Sequence, residues 1–366
     1  MSALGPRVMN PLHPAAAGIA ADVEAVEEIM RRGGSALRER MGRAETHLED
    51  VAAQAGAPLA THATATVVAG GKRLRPLLVL LAAEAAGGVS NGSEREQSLI
   101  RAAVAVELVH SATLVHDDLI DGAQLRRGHP TVAAVAGRNT AVATGDLLFS
   151  CAFAELARNG DAEQLQALSD ASSALAAGEL LQREDAYSAD IAVERYLERC
   201  RLKTAALFEA SCRLGALVVA AGGIEFASAL GAFAGQIGLA FQLLDDVLDV
   251  SGPAQRTGKA RGTDLLDGTV TLPLILARER DEEIAAFDLS SLTGPEHPDG
   301  HPPSRGAGER AEALCERIAA TGALDEARER ALSIVAVAKA SLPAALPEGR
   351  HELLGLVADA VVERYC

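Results

Sequence analysis

Two apolar runs at helical spacing each end in the same acidic pattern, and that pairing constrains the fold more than any other feature of the chain. The first covers Ser93–Leu119, with Leu99, Ala102, Ala103, Val106, Val109 and Ala112 or Thr113 along its apolar face. It closes on His116-Asp117-Asp118-Leu119-Ile120-Asp121, and Ser93 followed by Glu96 supplies a capping box at its start. The second covers Ala227–Val250 and carries Gln242-Leu243-Leu244-Asp245-Asp246-Val247-Leu248-Asp249. Residues four apart lie one above the other on a helix, so Asp117 converges with Asp121 and Asp245 with Asp249. Like charges at that spacing cost on the order of a few tenths of a kcal/mol in water, and more beside an apolar core. A hard divalent cation offsets the repulsion. Mg²⁺ takes one or two carboxylates and completes its shell with water and phosphate oxygens. One such cluster is as readily a solvated helix end. Two copies embedded in apolar helices point to several Mg²⁺ ions around one diphosphate.

Helical signals prevail elsewhere too, with a third long stretch at Gln164–Arg183 and few turn dipeptides between alternating β-branched runs. The expected architecture is all-α, a single-domain helical bundle around a central active-site cavity. Residues 1–20, with three prolines, read as a flexible N-terminal arm, and 21–366 as the folded domain. The Pro/Gly-rich stretch 292–306 reads as a disordered loop between helices.

Composition excludes some partners. A net charge of −16 repels nucleic acid and anionic headgroups, and with 3% aromatics and no Trp a base-stacking surface is not expected. Cys151, Cys200, Cys212, Cys315 and Cys366 form no CxxC pair and read as isolated reduced thiols. Met1–Pro14 has no basic start leading into an apolar run, so the expected location is cytoplasmic. Between Leu214 and Leu244 the only ionisable residue is Glu225, yet the longest apolar-or-glycine run, Leu214–Ile224, is eleven residues. A spanning helix needs roughly 20, so no membrane anchor is expected.

Basic groups sit beside the acidic clusters. Gly70-Gly71-Lys72-Arg73-Leu74-Arg75-Pro76 places three cations after a glycine pair that lets backbone approach a phosphate. Arg126-Arg127-Gly128-His129-Pro130-Thr131 begins five residues after Asp121. Lys203-Thr204 and Lys259 are more dispersed, and His110 lies two turns before Asp117. Singly, these are as readily solvated charges or a satisfied core histidine. Together, in an acidic chain, they suggest a built anion site.

As an ordered set spanning Gly70 to Pro273, the motifs resemble the trans-polyprenyl diphosphate synthase family. The resemblance implies the isoprenoid synthase fold, a homodimer, and Mg²⁺, with three ions when substrate is bound. It makes Asp117 and Asp121 metal ligands supported by Asp118, and Asp245 a metal ligand assisted by Asp246 and Asp249, with Asp249 also counted among the ligands. Lys72, Arg75, His110 and Arg127 match the isopentenyl diphosphate site. Arg126, Lys203, Thr204, Gln242 and Lys259 match the allylic diphosphate site, and Lys203 joins the aspartates as catalytic. One departure is Gly268-Thr269-Val270-Thr271-Leu272-Pro273, where many members carry Lys in place of Thr269.

The activity so implied is Mg²⁺-dependent elongation of an allylic diphosphate with isopentenyl diphosphate in trans. The first helix rises 1.5 Å per residue, so five positions before Asp117 is about 7 Å, near one or two isoprene units. Ala112, Thr113, Val109 and Ala105 stand there without a Phe or Tyr floor, and the expected product is medium-to-long. A terpene cyclase would not require Lys72, Arg75 and Arg127. A binding-only subunit of a two-component synthase could dispense with the aspartates.

Overall fold

The computed structural model describes residues 25–54, 56–188, 190–219, 223–252, 261–293, 306–344 and 346–363. The arm read at 1–20 and most of the loop read at 292–306 lie outside them. The longer helices are α1 (Gly34–Ala53), α2 (Leu59–Val68), α3 (Leu74–Ala85), α4 (Glu94–Ile120), α5 (Arg138–Ala157) and α6 (Ala162–Asp185). They continue with α7 (Val193–Cys200), α8 (Ala206–Val219), α9 (Gly223–Ser251), α10 (Leu272–Arg278), α11 (Ala307–Ala320), α12 (Ala323–Ala340) and α13 (Glu348–Glu363). Among the described residues the paired strands are a two-residue hairpin, β1 (Leu125–Arg126) with β2 (His129–Pro130). The protein is all-α.

Helix α8 is the hub. It packs against α3, α4, α6 and α9, so the two helices that carry the acidic clusters flank it. Helix α3 is buried on nearly every side, with Leu77–Ala83 at most 2% exposed, as expected of a helix apolar all round. Ser93 caps α4, its Oγ accepting the Glu96 N–H at 3.1 Å. The capping box closes differently from the expected pattern: the Glu96 carboxylate accepts from Gly92 N at 2.7 Å. Arg40 Nε donates to it at 2.9 Å and Arg43 at 2.5 Å, drawing the side chain toward α1.

Helices α4, α5 and α9 are each long and apolar enough to cross a membrane by length and composition. Polar residues interrupt the apolar runs of these helices, yet over an 18-residue stretch each stays apolar on average. The apolar windows of α4 and α9 are 72% and 61% buried inside the protein, against 39% for α5.

Candidate active site

Helices α4 and α9 deliver their acidic ends to one cavity of about 320 Å³. Asp117 and Asp121 line it from α4, and Asp245 and Asp246 from α9. The intervening Asp118 is buried and accepts from Arg126 Nε at 2.5 Å. Burial pushes the Asp117 carboxyl up to about 6; Lys203 opposes the rise, and the Glu179 and Asp121 carboxylates add to it.

Asp246 is held rather than loose. Its Oδ2 accepts from the Tyr196 hydroxyl at 2.7 Å and its Oδ1 from Gln242 Nε2 at 2.8 Å. Gln242 Oε1 in turn accepts from Thr204 Oγ1 at 2.6 Å. Burial, then the Asp264 carboxylate, pushes both Asp246 and Asp249 upward. Asp249 stands four residues after Asp245 on α9. It lies outside the cavity lining and accepts from the backbone N–H groups of Thr263 at 3.1 Å and Asp264 at 3.2 Å. The N-terminus of the short helix Thr263–Leu266 offers it donors that α9 cannot, and Asp264 and Asp267 face the cavity instead.

Between α7 and α8 the chain makes a π-helical turn, Arg201–Ala205, which brings Lys203 and Thr204 together onto the cavity wall. Glycines permit it: a Cβ on Gly178 would sit 2.6 Å from Lys203 N, and one on Gly238 2.9 Å from Ala205 Cα. Lys203 pairs with Glu179, and although burial lowers its affinity for a proton, Asp117 and Glu179 raise it further. Lys203 therefore stays charged.

The basic side is built around Arg75. Its guanidinium carbon lies 4.8 Å from the Phe208 ring centroid, and its Nε is buried without a hydrogen-bond partner. Burial brings it down to about 10, Glu107 resisting and Arg127 assisting. His110 lines the same wall, and burial followed by Arg75 and Arg127 lowers it well below its ordinary value, so it is neutral. Arg127 tops the hairpin turn at φ 52°, with Gly128 at φ 80°, the paired left-handed geometry of a type I′ turn. The turn sets its guanidinium against Gly71, where a Cβ would come within 2.7 Å of Nη1. Lys72, in the same loop, is exposed. Neither it, Arg126 nor Arg127 lines the cavity itself.

The third cation of the Lys72 motif, to which the sequence assigned no site role, is held by the scaffold. Arg73 is structural, donating to Glu45 and Glu107 at 2.7 Å and to Val67 O at 2.6 Å. Lys259 lies outside the described residues. Thr113 lines the cavity, but Ala112, Val109 and Ala105 are fully buried and do not. At 1.5 Å and about 100° per residue, Thr113 falls nearer the Asp117 face of the helix than Ala112 does. Helix α6 contributes residues not anticipated, Leu175, Gln182 and Arg183, with Glu179 behind them. They repeat at helical spacing, which is the signal that could have found them.

Among the described residues no three carboxylate, imidazole or thiol groups close into a set that holds a cation unaided. The donors nevertheless suit Mg²⁺. They are carboxylates from two helices meeting in one cavity, and at Asp117 burial and the neighbouring carboxylates already work against the charge.

Comparison with known proteins agrees with this geometry. Residues 57–298 match the polyprenyl synthetase family model. The chain is 40% identical over 263 residues to heptaprenyl diphosphate synthase component 2 of Geobacillus stearothermophilus, covering 72% of this chain and 79% of that one. Against octaprenyl diphosphate synthase of Escherichia coli the identity is 34% over 298 residues, covering 81% and 87%. A polyprenyl synthase from Caulobacter crescentus, solved with calcium and isoprenyl diphosphate, superposes with a TM-score of 0.80 at 34% identity, covering 93% and 98%. The chain belongs to the polyprenyl synthetase family and is a prenyltransferase.

Proposed function

We propose that the cavity joins isopentenyl diphosphate to an allylic diphosphate in trans, with Mg²⁺, and repeats the step to a medium-to-long product. The observation that carries this reading is the meeting of three things in one cavity: aspartates from both acidic clusters, Lys203 beside Asp117 and Glu179, and the unpartnered Nε of Arg75. Asp117, Asp121 and Asp245 would hold the metal, with Asp246 fixed by Tyr196 and Gln242 to support them. Bound there, Mg²⁺ would withdraw charge from the leaving diphosphate.

The chain's own residues supply the rest. Lys203, held by Glu179, fixes a positive charge beside Asp117 where the allylic diphosphate lies. Arg75, with Lys72 and Arg127 on the adjoining loop and turn, grips isopentenyl diphosphate through fork-like donors. His110, being neutral, can donate a hydrogen bond there without adding charge. Leu114, Leu175, Leu207 and Phe241 line the cavity and exclude water from the reacting carbon. The absence of an aromatic side chain at Thr113 leaves room for growth beyond the first additions.

We also propose a cytoplasmic homodimer. The unpaired thiols of Cys151, Cys200, Cys212 and Cys315 suit a reducing compartment, and the apolar, poorly buried α5 offers a face for a second copy.

The test is incubation of purified protein with isopentenyl diphosphate, Mg²⁺ and dimethylallyl, geranyl or farnesyl diphosphate, products being sized by mass spectrometry. A ladder ending at one length supports the proposal and names the product. Folded protein that elongates none of the three would overturn it in favour of a subunit that needs a different partner, or a cyclase if cyclic hydrocarbon is released.

A further inference from the structure

Arg183 is a cavity cation that none of the sequence motifs contains. Its Nη2 donates to Asp121 Oδ1 at 2.5 Å, and its Nε lies 3.4 Å from Glu179 Oε1. The side chain is 38% exposed and shares the cavity wall with Asp117, Asp245 and Thr269. Glu179 thus tethers two cations, Lys203 and Arg183, at the edge of the carboxylate cluster.

We propose that Arg183 is a phosphate-binding residue of the allylic site that exchanges Asp121 for the substrate diphosphate when a divalent cation binds. The inference rests on the diphosphate reading of the cavity given above. A carboxylate oxygen that turns to a metal ion brings a second positive charge up to the guanidinium, and the two cations repel. The link to Glu179 keeps Arg183 at the cavity, so its freed Nη groups meet the anion that arrives with the metal. The planar fork then matches phosphate oxygens bidentately. Thr269, on the same wall, offers a hydroxyl and no charge. The exchange ties metal and diphosphate together, because each removes a partner that opposes the other.

The test is calorimetric binding of inorganic pyrophosphate at saturating Mg²⁺ to wild type, Arg183→Gln and Arg183→Lys, with isopentenyl diphosphate binding measured in parallel. Loss of a charge-assisted fork weakens pyrophosphate binding about 10- to 100-fold in the glutamine variant. The lysine variant falls between, since a point charge keeps attraction without the fork, and isopentenyl diphosphate affinity stays within twofold. Pyrophosphate affinity within twofold of wild type in either variant overturns the inference, as does equal weakening for both ligands. Should the glutamine variant fail to fold, the lysine variant decides. If wild type itself binds no pyrophosphate with Mg²⁺, the diphosphate reading of the cavity fails and takes this inference with it; if wild type binds and the variants match it, only the role of Arg183 falls.

Discussion

Replacing Arg75 by methionine separates what stabilises this fold from what it does. The guanidinium keeps its charge in a wall where burial brings it down to about 10, and its Nε has no partner. That fall corresponds to roughly 3 kcal/mol of differential cost to the charged form. The side chain still reaches the cavity, so screening reduces the recoverable part to about 1–2 kcal/mol, and loss of the contact with Phe208 returns about 0.5–1. Methionine fills much of the same volume, so the substrate-free variant should match wild type or exceed it by up to about 1 kcal/mol in denaturant unfolding. Substrate binding moves the other way. Truncating one partner of a desolvated charge pair costs about 2–5 kcal/mol, which raises KM for isopentenyl diphosphate by roughly 30-fold or more. The allylic substrate, held on the aspartate side, should show little change. A variant that is less stable by more than about 1 kcal/mol, with an unchanged KM for isopentenyl diphosphate, would refute the reasoning and make Arg75 a structural residue.

Other perturbations probe the surrounding scaffold. Thr113→Phe should shorten the product, read by mass spectrometry, whereas Ala112→Phe, overpacking a fully buried site, should cost about 1–3 kcal/mol of stability. Gly178→Ala should lower kcat by about 10- to 100-fold, because its Cβ meets the backbone of the turn that carries Lys203. Arg40→Ala should cost about 2–3 kcal/mol in chemical unfolding, since it leaves buried Glu96 with only Arg43 and Gly92 N–H and releases Val89 O and Asn91. Burial raises the Glu96 carboxyl, but Gly92 N–H, Arg40 and Arg43 outweigh it and bring it to about 2 from 4.5. A depressed carboxyl contributes stability above its unfolded value and loses it as pH falls. Wild type should therefore lose up to about 3 kcal/mol between pH 4.5 and 2 from this group, and Arg40→Ala less.

The acidic clusters were legible because the spacing of Asp117 and Asp121 on a helix carries geometry with it, and no fold is needed to bring them together. The glycine pair before Lys72 was read as room for a phosphate, whereas at Gly71 the Arg127 guanidinium fills the space a Cβ would take. Tertiary competition decided the rest. Asp249 has the expected spacing, and its carboxylate also accepts from the backbone N–H groups of Thr263 and Asp264, which the spacing does not foretell. Arg73 stands in the right motif, yet Glu45 and Glu107 occupy it. Ala112 is buried within α4, while its neighbour Thr113 reaches the cavity lining. Arg183, Gln182 and Glu179 share a helix face by their spacing, but that helix carries no aspartate motif, and its packing beside the π-helical turn is what brings the face to the site. That turn adds a residue to a helix without any local sign in the residues it contains.

The most direct measurement is the elongation rate of farnesyl diphosphate with isopentenyl diphosphate in wild type, Asp117→Asn and Asp245→Asn, each with Mg²⁺ and with EDTA. The account predicts an Mg²⁺-dependent ladder in wild type, silenced by EDTA. It predicts a loss of at least about 10³-fold in each folded variant, because both faces act on one diphosphate. Elongation that survives EDTA, or a variant at either aspartate that keeps nearly wild-type rate, would contradict it.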